Sequence, residues 1–267
     1  MIVIKIGGAA GVNIDAICQD AAALIRQGQP VILVHGGSDE TNQISTQLGH
    51  PPRFVTSTSG FTSRYTDRET LEIFAMVTAG KINTLLVERM QKSGVNACGL
   101  TGLDGRLMVA QRKEAIRIIE NGRKIMLRDD YTGKIEQVNS ALLFLLIQAG
   151  LTPVIAPLAI SPQGDALNVD ADRAAAMVAG AVKADKLVLL TNVPGLLRHF
   201  PDESSLIAHI DARNLDQALD FAEGRMKKKV LGASEALNLG VASVIFADGR
   251  TGHPLIDALN GLGTTIE

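Results

Sequence analysis

Five short runs rich in valine, isoleucine and leucine, at residues 2–6, 30–35, 152–156, 186–191 and 242–247, set the tightest limit on this fold. None alternates apolar with polar residues, as a strand with one wet face would, so each is expected to be a strand covered on both sides. Between them lie segments with apolar residues at helical spacing. The clearest begins at Thr66-Asp67-Arg68-Glu69, where Thr66 or Asp67 can cap, and it aligns Leu71, Phe74, Thr78, Ile82, Leu85 and Leu86 in one stripe. Further helices are expected over 14–27, 41–48, 140–149, 173–182 and 226–239, and Gly28, Gly49, Gly94, Gly150 and Gly240 follow helical stretches as C-caps do. The fold class is therefore α/β: an open, mainly parallel sheet sandwiched by helices.

Residues 107–138 depart from that rhythm. Short strands at 107–111, 115–119 and 123–127, with a turn at Glu120-Asn121-Gly122, predict an antiparallel hairpin inserted at the edge of the main sheet. At 267 residues a chain buries about 70–75% of its unfolded surface, so no disulfide staple is needed. Cys18 and Cys98 form no CxxC and suit a reducing compartment. No basic segment followed by a long apolar stretch opens the chain, and the greasiest run, 141–147, is too short to span a bilayer. A cytoplasmic protein without a membrane segment is expected. With 26 Lys+Arg against 28 Asp+Glu, nothing global steers the chain toward nucleic acid.

Two glycine pairs follow the first two strands: Lys5-Ile6-Gly7-Gly8 and His35-Gly36-Gly37-Ser38. Ligands of open parallel sheets bind outside the carboxyl ends of the strands, and glycine there lets backbone N–H groups approach anionic oxygens. Either pair alone also reads as a tight strand-to-helix turn; two at successive strand ends, one with a lysine, point to an anion site. The common fingerprints do not fit. Gly7-Gly8-Ala9-Ala10-Gly11 is not GxGxxG, Gly80-Lys81 and Gly133-Lys134 precede isoleucine, and neither HExxH nor GxSxG occurs, so no metal site is expected. Asn168-Val169-Asp170-Ala171-Asp172 opens an alanine-rich helix, as a simple cap or as part of a site. Met226-Lys227-Lys228-Lys229-Val230 puts cations at a helix start, where the dipole disfavours them. A solvated face is one reason; a bound polyphosphate is another.

In this order and spacing, Lys5-Ile6-Gly7-Gly8, His35-Gly36-Gly37, Arg64, Asn168-Val169-Asp170-Ala171-Asp172 and Met226-Lys227-Lys228-Lys229 resemble the amino acid kinase family, most of all its N-acetylglutamate kinase branch, over essentially the whole chain. N-acetylglutamate kinases usually carry a third glycine where this chain has Ser38-Asp39-Glu40. The stretches His50-Pro51-Pro52-Arg53-Phe54, Ser63-Arg64-Tyr65, Gly99-Leu100-Thr101-Gly102 and Asp130-Tyr131-Thr132-Gly133 are similar to the aminoadipate kinases of bacterial lysine synthesis. In those enzymes the α-amino group of the substrate is linked to the C-terminal glutamate of a small acidic carrier, LysW.

The resemblance implies transfer of the γ-phosphoryl group of ATP to a side-chain carboxylate, with Mg²⁺ carried on the ATP phosphates. It implies one domain of two lobes, 1–170 for the acyl substrate and 171–267 for ATP. Lys5 and Lys229 would flank the moving phosphoryl group and Asp172 would hold them; Lys229 is the lysine before Val230 that takes the family position. Gly7, Gly8 and Gly37 would bind phosphate, Gly36, Gly37, Arg64 and Asn168 the substrate, and Thr191, Asn192 and Gly195, with Lys229, the nucleotide. A homodimer through the helix at Asp67 is also implied. N-acetylglutamate, or both acceptors, stays open as substrate, as does a non-catalytic sensor, against which the intact Lys5, Asp172 and Lys229 stand. Between Asp104 and Arg128, seven basic residues (Arg106, Arg112, Lys113, Arg117, Arg123, Lys124 and Arg128) face three acidic ones, 7 − 3 = +4 on a chain of net −2. That stretch is a candidate dock for the carrier or a solvated hairpin.

Overall fold

All five strands read from the sequence lie in one eight-stranded sheet of the computed structural model, which describes residues 1–267 apart from 59, 61, 114, 121–122 and 216–223. Ile2–Ile6 is central, between Lys186–Thr191 and Val31–His35. Ser243–Asp248, Thr264–Ile266 and His209–Ile210 extend one side, and Thr152–Ala156 and Ala97–Thr101 the other. Every pairing is parallel except that of Ser243–Asp248 with Thr264–Ile266. The first three strands are buried along nearly their whole length, as two-sided cover requires.

Side chains alternate across the central strand, and that alternation assigns the functional face. Ile2, Ile4 and Ile6 point into a layer with Ile17, Ala21, Leu33, Leu86, Met90 and Leu255. Val3 points the other way, toward Ala175, Ala176 and Val178 of the alanine-rich helix Ala171–Ala181. Lys5 shares the face of Val3 by the period of two. Each large aliphatic side chain in these layers is worth about 1.5–3 kcal/mol of burial.

The helices begin where capping residues stand. Asn13, Asp67, Asn139 and Asp170 each accept a backbone N–H from the first turn of their helix. Gly28, Gly49, Gly94, Gly150 and Gly240 all sit at positive φ, between 76° and 93°, as expected of C-cap glycines.

Arg68–Lys92 is the one described helix long and apolar enough to cross a membrane by length and composition. Its Leu71, Phe74, Val77, Leu86 and Met90 are nevertheless buried in the protein. It is α-helical over Arg68–Ala75, π-helical over Met76–Asn83 and α-helical again over Thr84–Lys92. The extra residue per turn shifts the phase of the apolar stripe. Leu71, Phe74, Thr78 and Leu86 are accordingly buried as the spacing predicts, while Leu85 is exposed.

The 107–138 insertion is antiparallel, with Met108–Arg112 paired to Gly133–Val138 and Ala115–Glu120 to Arg123–Arg128. It does not continue the main sheet. Met108–Arg112 and Gly133–Val138 join Leu158–Ile160 and Ala166–Asn168 in a separate four-stranded sheet, and the 115–128 hairpin bridges to Ser57. The edge expected for the insertion is occupied by Ala97–Thr101, a strand whose Cys98-Gly99 centre gives no Val/Ile signal. Asn121-Gly122 lies outside the described residues.

Candidate active site

At the carboxyl end of the central strand, one carboxylate sits between two lysines. Asp172 Oδ1 lies 2.8 Å from Lys5 Nζ, and Lys229 Nζ donates to Asp172 Oδ2 at 2.8 Å. Three elements make this possible. Asp170 caps its helix by accepting the N–H groups of Asp172 and Arg173, both at 3.0 Å, which places the Asp172 carboxylate in the first turn, where the dipole favours an anion. One small residue lets the end of the helix Gly224–Asn238 come close: a Cβ on Gly180 would stand 2.5 Å from Leu239 Cβ. Lys229 thereby reaches Asp172. Lys5 reaches it from the sheet.

The charges of this cluster depend on one another. Burial pushes Asp172 up, but the two lysines outweigh it and hold the carboxyl far below its usual range. Burial also lowers Lys229, yet the Asp172 charge and hydrogen bond leave it raised. Lys5 is the most enclosed, and burial leaves it lowered despite Asp172. With Asp172 ionised and both lysines charged, the cluster carries one net positive charge in a partly dry place. That suits a polyanion.

The two glycine turns meet beside it. Gly36 N–H donates to the Ile6 carbonyl at 2.9 Å, and Asp39 N–H to the Gly8 carbonyl at 3.1 Å. A Cβ on Gly8 would stand 2.4 Å from Gly37 N, so only glycine permits the contact. Gly7 N–H is taken by the Leu190 carbonyl at 3.0 Å. Gly8 and Gly37 N–H groups are taken by no backbone carbonyl among the described residues.

Arg64 ends the short strand Thr62–Arg64 and is buried. Its Nη2 donates to the Ser38 carbonyl at 3.2 Å, its guanidinium lies 5.3 Å from the Phe54 ring centroid, and its Nη1 is buried without a partner. A buried, partnerless guanidinium nitrogen is costly, and an incoming carboxylate answers it. Asn168 Nδ2 donates to Thr66 Oγ1 at 3.0 Å, and Thr66 N–H donates to the fully buried Asp130 at 3.1 Å. Ser38, Arg64, Thr66 and Asn168 thus continue the site outward from Gly37.

Thr191 closes the neighbouring strand, its carbonyl accepting Gly249 N–H at 2.6 Å and its Oγ1 the Val193 N–H at 3.1 Å. Asn192 is exposed, whereas Gly195 is buried with Thr264 Oγ1 2.6 Å from where its Cβ would be. Gly195 serves close packing in this loop. No group of three or more His, Cys, Asp or Glu that could hold a metal occurs among the described residues. Both Asp172 oxygens face lysines, so the donors present suit anionic oxygens such as those of a phosphate.

The structure brings together the lysines, Asp172, the glycines, Arg64 and Asn168 named from the sequence, and places behind them a polar network the sequence analysis did not name. His35 is buried and neutral, its pKa lowered to about 4 by burial and then by Lys5, against the Gly36 hydrogen bond that raises it. His35 Nδ1 faces the Gly36 carbonyl at 3.0 Å, and Asn83 Nδ2 donates to His35 Nε2 at 3.0 Å and to the Val154 carbonyl at 3.0 Å. The only signal was position: a histidine directly before a glycine pair.

Comparison with known proteins identifies the family. The description "Amino acid kinase family" matches residues 1–248. A [LysW]-aminoadipate kinase of Deinococcus radiodurans is 55% identical over 266 residues, covering 100% of this chain and 91% of that protein. One of Thermus thermophilus is 52% identical, with all of both chains covered. An acetylglutamate kinase of Methanopyrus kandleri is 37% identical, again over all of both chains. Among solved structures, N-acetylglutamate synthase of Neisseria gonorrhoeae, complexed with coenzyme A and N-acetyl-glutamate, superposes with a TM-score of 0.81 at 25% identity, over 99% of this chain and 58% of that one.

The pH dependence of stability follows from His35. Its folded pKa, about 4, lies below the ordinary ~6.5, so its stabilisation is complete above pH ~6.5 and is lost as pH falls toward about 4, because the unfolded chain takes up the proton first. Urea unfolding should show the unaltered protein losing about 3 kcal/mol more across that window than His35→Asn. The Asp172 contribution persists further, being lost only below the ordinary carboxylate range of ~3.9.

Proposed function

The chain belongs to the amino acid kinase family, and we propose that it transfers the γ-phosphoryl group of ATP to the side-chain carboxylate of aminoadipate carried on LysW. The observation that carries this reading is the Lys5–Asp172–Lys229 cluster beside the untaken Gly8 and Gly37 N–H groups. An acceptor carboxylate has a pKa near ~4.3 and is already ionised at neutral pH, so no general base is needed. Asp172, with both oxygens on lysines, acts as an organiser. The barrier comes from bringing an anion against a polyanion, and positioning with fixed positive charge lowers it.

Lys5 and Lys229 stabilise the charge that develops on the transferring phosphoryl oxygens, and the Gly8 and Gly37 N–H groups add aimed donors. Gly7 contributes backbone clearance, its N–H being engaged. Arg64 offers its partnerless Nη1 to the α-carboxylate. Asn168, whose Nδ2 is on Thr66, turns its oxygen to the amide N–H of the blocked amino group. Residues 1–170 serve the acyl acid, and residues 171–267, with Thr191 and Asn192, serve the nucleotide, Gly195 shaping that loop by close packing. Mg²⁺ entering on the ATP phosphates supplies further neutralising charge.

Aminoadipate on LysW is preferred over N-acetylglutamate because the relatives at 55% and 52% identity carry that name, the acetylglutamate kinase standing at 37%. The basic hairpin supports a protein-borne acceptor. Arg117, Arg123, Lys124 and Arg128 are exposed there, with Ile119 and Met126 between them. The hairpin also adjoins the substrate side: Tyr65 Oη donates to the Arg128 carbonyl at 2.8 Å, one residue from Arg64. An acidic carrier would be steered to this face. A homodimer is supported by the exposed Met76 and Leu85 on the helix Arg68–Lys92, and neither nucleic acid nor membrane enters this cytoplasmic reading.

Three outcomes test these proposals. Hydroxylamine trapping of the acyl phosphate should give a far higher kcat/KM for LysW-linked aminoadipate than for N-acetylglutamate, and Lys229→Ala should lower it by about 10²–10³-fold; undiminished trapping in that variant would remove the assigned site. Reversing Arg117 and Arg123 to Glu should raise KM for the carrier form about tenfold or more, with a weakened salt dependence, and spare the small acyl acid; equal effects on both would leave the hairpin without a docking role. Leu85→Lys should convert a dimer to a monomer in analytical ultracentrifugation, and unchanged sedimentation would point to another face.

A further inference from the structure

The π-helical stretch of Arg68–Lys92 lies against the turn that follows the second strand. A Cβ on Gly37 would stand 2.6 Å from Ile82 Cδ1 and 2.9 Å from Thr78 Cγ2. Asn83, one residue beyond Ile82, is buried and donates both to His35 Nε2 and to the Val154 carbonyl, at 3.0 Å each. In an α-helix, residues five apart differ by about 140° around the axis, so Thr78 and Asn83 could not both face this turn. Closing i→i+5 turns brings such residues back to one side. The π geometry over Met76–Asn83 is therefore what lets one helix press on Gly37 and hold His35 together.

The hydrogen bonds fix the state of the ring. Asn83 Nδ2 can only donate, so His35 Nε2 is an acceptor and carries no proton. The proton is on Nδ1, which donates to the Gly36 carbonyl at 3.0 Å. In a trans peptide the C=O and N–H point in opposite directions. Anchoring the Gly36 carbonyl to the ring thus aims the Gly37 N–H the other way. Without such an anchor a Gly-Gly peptide turns over at little steric cost.

We propose that Asn83 is a positioning residue: it holds His35 as the Nδ1–H tautomer, which pins the Gly36–Gly37 peptide with its N–H facing the transferring phosphoryl group. The proposal rests on reading Gly37 as a phosphate contact. Asn83 also lines an open cavity of about 310 Å³ with Ala79, Thr84, Val87 and Gly99, and Asn83→Ala removes atoms there without adding any to the phosphate cradle.

Long-range ¹H–¹⁵N spectra of the unaltered enzyme at pH 7.5 should show His35 as the neutral Nδ1–H form; an Nε2–H or cationic ring would overturn the proposal. Asn83→Ala should mix the tautomers and lower kcat by about 10–100-fold while KM for the acyl acid stays within about twofold. His35→Asn, whose side-chain N–H can take the place of Nδ1–H, should retain more kcat than His35→Leu. Unchanged kcat in Asn83→Ala, or equal losses in the two His35 variants, would refute the positioning role. If the unaltered enzyme phosphorylates no acyl acid, the functional reading falls instead. The inference is then still decided by ATP titration, which should move the Gly37 amide resonance in the unaltered protein and not in Asn83→Ala.

Discussion

The site depends on one carboxylate that is never free. Asp172 holds two ammonium groups at 2.8 Å each, one from the sheet and one from a helix. Two lysines so close would otherwise repel and lose charge by burial. Asp172 between them offsets both effects, leaving Lys229 raised though Lys5 lowered, and holds the two side chains oriented toward an incoming polyanion. The same bridge fixes the helix Ala171–Ala181 to the central strand and the helix Gly224–Asn238 to both.

The second constraint is steric. The turns after the first two strands meet backbone to backbone, and a single methyl on Gly8 would intrude to 2.4 Å from Gly37 N. Close packing of this kind leaves N–H groups in a concave, dry setting where their dipoles act strongly on a bound anion. Charge therefore arrives from side chains on one face of the sheet, and direction from backbone at its end. Neither source is a titrating acid or base, in keeping with an acceptor that needs no deprotonation.

Much of this was legible in the sequence because the signals are local. Valine-rich runs without alternation marked the buried strands, Asp67 and Asp170 marked helix starts, and the glycine pairs marked the carboxyl edge. Three features escaped. Ala97–Thr101 is a strand whose glycine is needed because Asn83 Oδ1 lies 2.2 Å from where a Cβ would be, a tertiary demand with no trace in propensity. The insertion pairs with the strand at 158–160, which in turn pairs with 166–168, and such long-range partners cannot be read from periodicity. The π turn shifted the helical stripe after Ile82, which exposed Leu85, and the His35–Asn83 pair depends on that shift.

Lys5, Asp172 and Lys229 come from distant parts of the sequence, on one strand and two helices, and the strand that carries Lys5 pairs with 31–35 on one side and 186–191 on the other. Native pairings of this kind form late, after most loop closure has been completed. A chain still emerging from the ribosome would hold Lys5 and the first glycine turn without the counter-charge or the second lysine. A polyanion would thus meet the full cluster only in finished molecules, and one added during refolding would favour the completed fold by mass action.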